Sequence, residues 1–145
     1  MLSNTCKYGI RAIIYLALED SGKKIGIKKI SEDLDIPSPF LSKILQLLAK
    51  NKILQSTKGP HGGFGLGRDG EDISLMDIVR IIDGMDFFER CLIGLKSCLN
   101  PDSPVRCPIH QQYEPIREET RKLFEDTTIA QLSESIKNSG GDLRI

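Results

Sequence analysis

Tryptophan is absent from this chain of 145 residues, and aromatics make up only 6 % of it. A core without large rings has to be packed from Leu and Ile, which suits a small helical protein. No apolar run reaches the about 20 residues that span a bilayer. The stretch Ala12–Leu18 (AIIYLAL) is short, is followed at once by Glu19-Asp20, and precedes no small-x-small cleavage pattern. It therefore reads as a buried helix and not as an export signal, and a cytoplasmic protein with reduced thiols and no membrane contact is expected. No Cys-x-x-Cys pair occurs and no glycine motif for phosphate opens a helix. Of the two histidines, His61 and His110, neither has a nucleophile set beside it by the sequence. These absences remove the usual signatures of nucleotide-binding, hydrolytic and dithiol enzymes, and no enzyme is expected.

What remains is a chain able to bury one modest core, with an appendage. Its net charge of zero hides an asymmetry. Residues 1–70 hold eleven Lys/Arg against six Asp/Glu, whereas residues 71–145 hold nine against fourteen. A basic N-terminal half suits a phosphate backbone and an acidic C-terminal half is repelled by one, although such charges also solvate helix faces. Ser3 is a natural cap for a helix over Thr5–Leu18 that is apolar almost all round. A helix of that kind is buried on every face, with a second subunit one way to cover it. Ile27, Ile30 and Leu34 recur at helical spacing, Pro37 interrupts, and Ser38 is placed to cap a further helix with Pro39 at its first position. That helix runs to about Lys50. Short extended runs at 53–57 and 64–66 flank a Gly/Pro turn, a β-hairpin signature. Ser74 caps a helix over Leu75–Asp83 closed by Gly84, a long helical pattern starts at His110, and Thr127 or Thr128 caps a last helix to Ile136.

Two short helices around a tight turn, then a hairpin, form the pattern of a winged helix-turn-helix, so the expected fold is mainly α with a two-stranded wing. The second helix of the pair is the candidate recognition helix. Ser38, Phe40, Ser42 and Lys43 lie at its N-terminal end, and double-stranded DNA is the expected partner. Short hydroxyls bond several base edges, an aromatic packs on a thymine methyl, and a lysine reaches phosphate or guanine. The plainer roles are a cap for Ser38, a packing residue for Phe40 and a solvated charge for Lys43. In the wing, Lys58, Gly59, His61, Gly62 and Gly63 set a cation beside glycines whose missing side chains permit close approach to a narrow, negative minor groove. His61 reads as a wing surface residue and not as a metal ligand.

Three of the four cysteines fall in the run Cys91-x6-Cys98-x8-Cys107-Pro-Ile-His110, in a stretch rich in Gly, Asn, Pro and Ser that forms no core of its own. Without an export signal, this clustering points to metal or cluster ligation and not to disulfides. Thiolates favour iron–sulfur clusters, copper(I) and zinc, and imidazole suits zinc and iron. Zinc sites commonly use close C-x2–4-C pairs, shorter than either gap here. A cluster is the leading reading, with a structural zinc or metal-free, oxidant-responsive thiols as alternatives. Cys6, at a helix start, reads as a packed thiol. A thiol-redox or iron-carrier protein is the rival of another class, but it would need neither a recognition helix nor a wing.

The segments SNTCKYGIRAIIYLA, ISEDLDIPSPFLSKILQLLAKNKIL, STKGPHGGFGL and SLMDIVRIIDG, with the C…C…CPIH loop, resemble the IscR/NsrR/CymR family of bacterial regulators across nearly the whole chain. The resemblance implies a homodimeric winged-helix transcription factor with a long C-terminal dimerisation helix, here the one holding Ile116, Leu123 and Phe124. CymR-like members lack the loop cysteines, whereas cluster-binding members keep three, as this chain does. In IscR-like members a histidine three residues after the last cysteine completes a 2Fe–2S site, and His110 matches it. Cys91, Cys98, Cys107 and His110 are thus the implied ligands. In one NsrR branch an acidic residue of the first helix supplies the fourth ligand, and Lys7 stands at that position here, which favours His110. Pro39 and Ser42 depart from the recognition helix of IscR-like members, so their operator is not carried over. The implied organisation is a DNA-binding unit over 1–85, a cluster loop over 86–110, dimerisation and terminal helices over 111–137, and a flexible tail over 138–145.

Overall fold

The structure, a computed structural model, describes residues 1–19, 22–95, 102 and 107–141. Helix α1 (Asn4–Leu18) begins at Ser3, whose hydroxyl accepts the Cys6 amide at 3.0 Å, a side-chain N-cap. Its apolar girth is covered within one chain. Cys6, Gly9 and residues 12–16 are buried among α2 (Ile27–Leu34), α3 (Ser38–Lys50), the hairpin, α4 (Leu75–Ile82) and α7 (Ile129–Ser139). No second subunit is needed to explain that helix.

The turn between α2 and α3 closes with Asp35 in the left-handed region (φ +53°), while the Ile36 amide reaches back to the Ser31 carbonyl at 3.1 Å. An aspartate tolerates that conformation better than most side chains. Helix α3 starts one residue earlier than its sequence suggests. Pro37 is the N-cap, its carbonyl accepting from the Phe40 and Leu41 amides at 3.1 and 3.0 Å, and Ser38 is the first helical residue with no capping bond. Pro39 therefore sits in the second position, still within the turn where a missing N–H costs nothing. Leu41, Ile44, Leu45 and Leu48 face the core.

Strands β1 (Leu54–Thr57) and β2 (Gly63–Leu66) pair antiparallel, with Leu54 opposite Leu66 and Thr57 opposite Gly63. Ile25 and Phe64 exchange backbone hydrogen bonds at 2.9 and 2.8 Å, which pins the wing to the segment entering α2. A short 3-10 turn (Gly70–Asp72) leads to α4, which carries a capping box between Ser74 and Asp77. Gly84 follows with φ +74°, as a helix-terminating glycine does.

One element has no counterpart in the sequence reading. Helix α5 (Asp86–Glu89) buries Phe88 completely beside Cys6, Met76 and Val79, and the Phe88 ring meets Phe124 of α6 (His110–Asp126) edge-on at 5.4 Å. Helix α7, capped by Thr128 with Gln131, folds back onto α1, and the Ile129 amide bonds the Ile73 carbonyl at 2.9 Å. It runs to Ser139 and ends at Gly140, two or three residues into the stretch expected to be a tail. Helix α6 buries none of its own residues, and Ile116 and Leu123 are 58 % and 61 % exposed. Among the described residues no helix is long and apolar enough to cross a membrane.

Candidate nucleic-acid interface and cysteine site

Helix α3 turns one face to the core and the other outward. Pro39, Phe40, Lys43, Gln46, Leu47 and Lys50 are exposed, and Ser38 and Ser42 are half-buried. Phe40 is held from one side, its ring meeting Tyr8 of α1 edge-on at 5.8 Å, yet it remains 39 % exposed. It is therefore both a packing residue and an outward-facing one. The Ser42 hydroxyl accepts from Gln46 at 3.3 Å, so part of its hydrogen-bonding capacity is already engaged on the same helix.

At the wing tip Lys58, Gly59, Pro60 and His61 are exposed, and the Gly62 amide closes the turn on the Gly59 carbonyl at 3.0 Å. The glycines answer to the fold before they answer to any ligand. A Cβ on Gly62 would lie 2.1 Å from the Thr57 carbonyl oxygen. One on Gly63 would lie 2.2 Å from that of Ile25, at a φ of +147°. Close approach of backbone to backbone explains both, so these two glycines alone do not argue for a groove contact.

Residues not singled out in the sequence complete this surface. A cleft of about 600 Å³ between α3 and β1 is lined by Gln46, Lys50, Lys52, Gln55 and Thr57. A second, also about 600 Å³, lies between Lys23, Lys24, Gly26 and the wing residues Pro60, His61 and Gly62. Lys24 donates to Gln55 at 2.9 Å. The pairs Lys23-Lys24 and Lys50-x-Lys52 were the available signal, two cations at each end of the helix-turn-helix.

The cysteine site is built around the start of α6. Cys91 follows α5 and is half-buried in a cleft of about 340 Å³ shared with Phe87, Arg90, Leu92 and Tyr113. Cys107 is buried, and its carbonyl accepts the amide of His110, the first residue of α6, at 3.0 Å. The His110 Nε2 lies 3.7 Å from a Glu114 carboxylate oxygen. Arg117 pairs with the same carboxylate and holds it below the ordinary carboxylate range. Arg117 also donates to the carbonyls of Glu89 and Arg90 at 3.4 and 3.5 Å, and Arg121 to that of Phe88 at 3.2 Å.

Cys98 lies outside the described residues. Among the described residues no three His, Cys, Asp or Glu side chains gather as a metal-binding group. Cys91 lies beside Tyr113, and Cys107 bonds His110 three residues earlier on the same helix. Among the described residues Cys6 and Cys107 form no disulfide. Cys6 is fully buried, its thiol pushed up to about 12 by burial and then by Asp83. Such a thiol is inert at neutral pH.

A recognition helix beside a pinned wing defines a winged-helix DNA-binding regulator. Residues 2–135 match the Rrf2 family, described as iron-dependent transcriptional regulators, and the chain belongs to that family. A provisionally named HTH-type transcriptional regulator of Aquifex aeolicus is 32 % identical over 133 residues, covering 91 % of this chain and 90 % of that protein. IscR of T. potens superposes with a TM-score of 0.76 at 22 % identity, over 96 % of this chain and 90 % of its own. CymR, the global cysteine regulator of B. subtilis, gives 0.74 at 21 %, over 93 % and 97 %. The expected family and fold stand together.

Proposed function

We propose that this Rrf2-family regulator binds double-stranded DNA as a homodimer and reports iron–sulfur, redox or nitric oxide status through a 2Fe–2S cluster held by Cys91, Cys98, Cys107 and His110. The reading is supported by Cys91 sharing a cleft with Tyr113 of α6, three residues along from His110, while Cys107 bonds the start of the same helix, which leaves Ile116 and Leu123 exposed. Those two residues are seven apart, two helical turns, and so share one face suited to a partner helix. Ligand arms attached to such a helix couple their order to the spacing of two recognition helices. Thiolates with one neutral imidazole are a donor set that suits iron, and a cluster so ligated supplies a redox-active centre of raised potential.

In this division of labour α3 supplies sequence choice through Ser38, Phe40, Ser42 and Lys43. Lys58 of the wing, with Gly59, His61, Gly62 and Gly63 shaping its tip, supplies backbone affinity. A second reading is a zinc-stiffened or cofactor-free thiol regulator. It is favoured by the likeness to a cysteine regulator. The test is selection of a duplex from a random pool by the anaerobically reconstituted protein, then titration of that duplex before and after chelation of iron. Removal should change affinity about 5- to 150-fold, the span of a 1–3 kcal/mol coupling. Equal affinities would leave a DNA reader without a cluster sensor.

A further inference from the structure

Two helices meet at the cysteine site through a set of polar contacts that the ligands themselves do not require. Helix α5 ends in three successive carbonyls, those of Phe88, Glu89 and Arg90, which lie just before Cys91 and beyond the reach of the helix's own amides. All three are met by guanidinium groups of α6, Arg121 on the first and Arg117 on the other two. The Arg117 side chain is only 15 % exposed, so it is packed between the helices and not waving from the surface. Its other arm pairs with Glu114, and the paired oxygen of Glu114 is the one 3.7 Å from the His110 Nε2. A continuous chain of contacts therefore runs from the imidazole through the carboxylate and the guanidinium to the backbone that carries Cys91. Beneath it, Phe87, Phe88 and Phe124 pack as an aromatic trio and set the distance between the helices.

We infer that Glu114 and Arg117 form a strut that positions His110 and the Cys91 arm as one unit, and that this strut sets how long a bound cluster survives. The inference rests on the reading of His110 as a ligand. A carboxylate beside one ring nitrogen orients the imidazole and leaves the other, Nδ1, for a metal. The planar fork of arginine reaches a carboxylate and two carbonyls at once, which a lysine ammonium on a flexible stem does not reproduce. Neither Glu114 nor Arg117 is a ligand here. Both act through residues that are.

The test uses full-length protein loaded anaerobically with ferrous iron and sulfide, as wild type, Glu114→Gln, Arg117→Lys, Arg117→Ala and His110→Ala. Glu114→Gln and both Arg117 variants should keep the wild-type visible spectrum, since the ligands are unchanged. They should lose the cluster to a chelator about 10- to 100-fold faster, the usual weight of a group that orients a metal-binding histidine. Arg117→Lys should fall between wild type and Arg117→Ala. Hydrogen exchange on the cofactor-free proteins gives a readout independent of loading, in which Arg117→Ala should speed exchange of the amides at 90–95 and leave those of α3 alone. Unchanged cluster lifetimes, unchanged exchange at 90–95, or a spectrum shifted to that of His110→Ala would each overturn the strut. A wild type that takes up no iron and sulfide overturns the ligand reading and the lifetime claim together, and is distinguished from a failed strut by the absence of any loaded protein.

Discussion

Replacing Gly63 by alanine separates what the wing needs in order to fold from what it needs in order to bind. The new Cβ would lie 2.2 Å from the Ile25 carbonyl oxygen, 2.4 Å from its carbon and 2.8 Å from the Gly26 nitrogen, all backbone atoms that have no rotamer to escape into. Relief requires opening the Ile25–Phe64 bridge and its hydrogen bonds of 2.9 and 2.8 Å. Each is worth about 0.5–1.5 kcal/mol net, and the positive φ adds about 1–3 kcal/mol of strain for a non-glycine residue. Together these come to about 2–6 kcal/mol. At about 2–4 °C per kcal/mol for a domain near this size, the melting temperature should fall by at least about 4 °C. Circular dichroism melts of cofactor-free protein measure it. Gly59→Ala is the control, since its φ is +108° but nothing lies within 4 Å of the added carbon. It should cost only the strain. A Gly63→Ala protein that melts within about a degree of wild type would refute the argument that backbone contact with Ile25 demands this glycine.

Two further substitutions probe binding and assembly. Lys58→Ala, at an exposed wing position, should leave stability unchanged, weaken binding to all duplexes alike, and lower the log–log salt slope by about one unit if one phosphate contact is lost. Phe40→Ala should instead alter preference among duplexes by about 1–3 kcal/mol per lost base contact, read from competition titrations. A Lys58→Ala protein with changed sequence preference and an intact salt slope would contradict the assignment. Ile116→Asp with Leu123→Asp sets two charges on the exposed apolar face of α6 and should convert a dimer to a monomer at micromolar concentration in light scattering, without lowering helix content.

The parts of the fold legible in the sequence are those decided locally. The caps at Ser3, Ser74 and Thr128 are side-chain patterns over four residues, and each appears where its pattern lies. Ser38 looked equally suited, but the extended Pro37 already presents its carbonyl to two amides and takes the position. Helix α5 is four residues long, too short for any period to register, and its weight comes from Phe88, buried by partners distant in sequence. The return of α7 to α1 is likewise a matter of packing, and it accounts for part of an apolar surface for which a second subunit was one explanation. The glycines at 62 and 63 were recognisable as necessary, yet only the structure names Thr57 and Ile25 as the neighbours that exclude a side chain. Of the proposed cysteine site, only the candidate donors were legible, from their clustering. The Glu114–Arg117 strut was not, because it joins α6 to carbonyls 27 and 28 residues away.

The central claim is that the cysteine loop holds an iron–sulfur cluster, and the most direct measurement is made on the chain purified without oxygen. Visible absorption, iron and acid-labile sulfide are determined on one sample. The account predicts a coloured protein with about two irons and two sulfides per chain, the stoichiometry of a 2Fe–2S centre, and loss of the colour when Cys91, Cys98 or Cys107 is changed to alanine. A colourless protein carrying one zinc, or no metal at all, would contradict it.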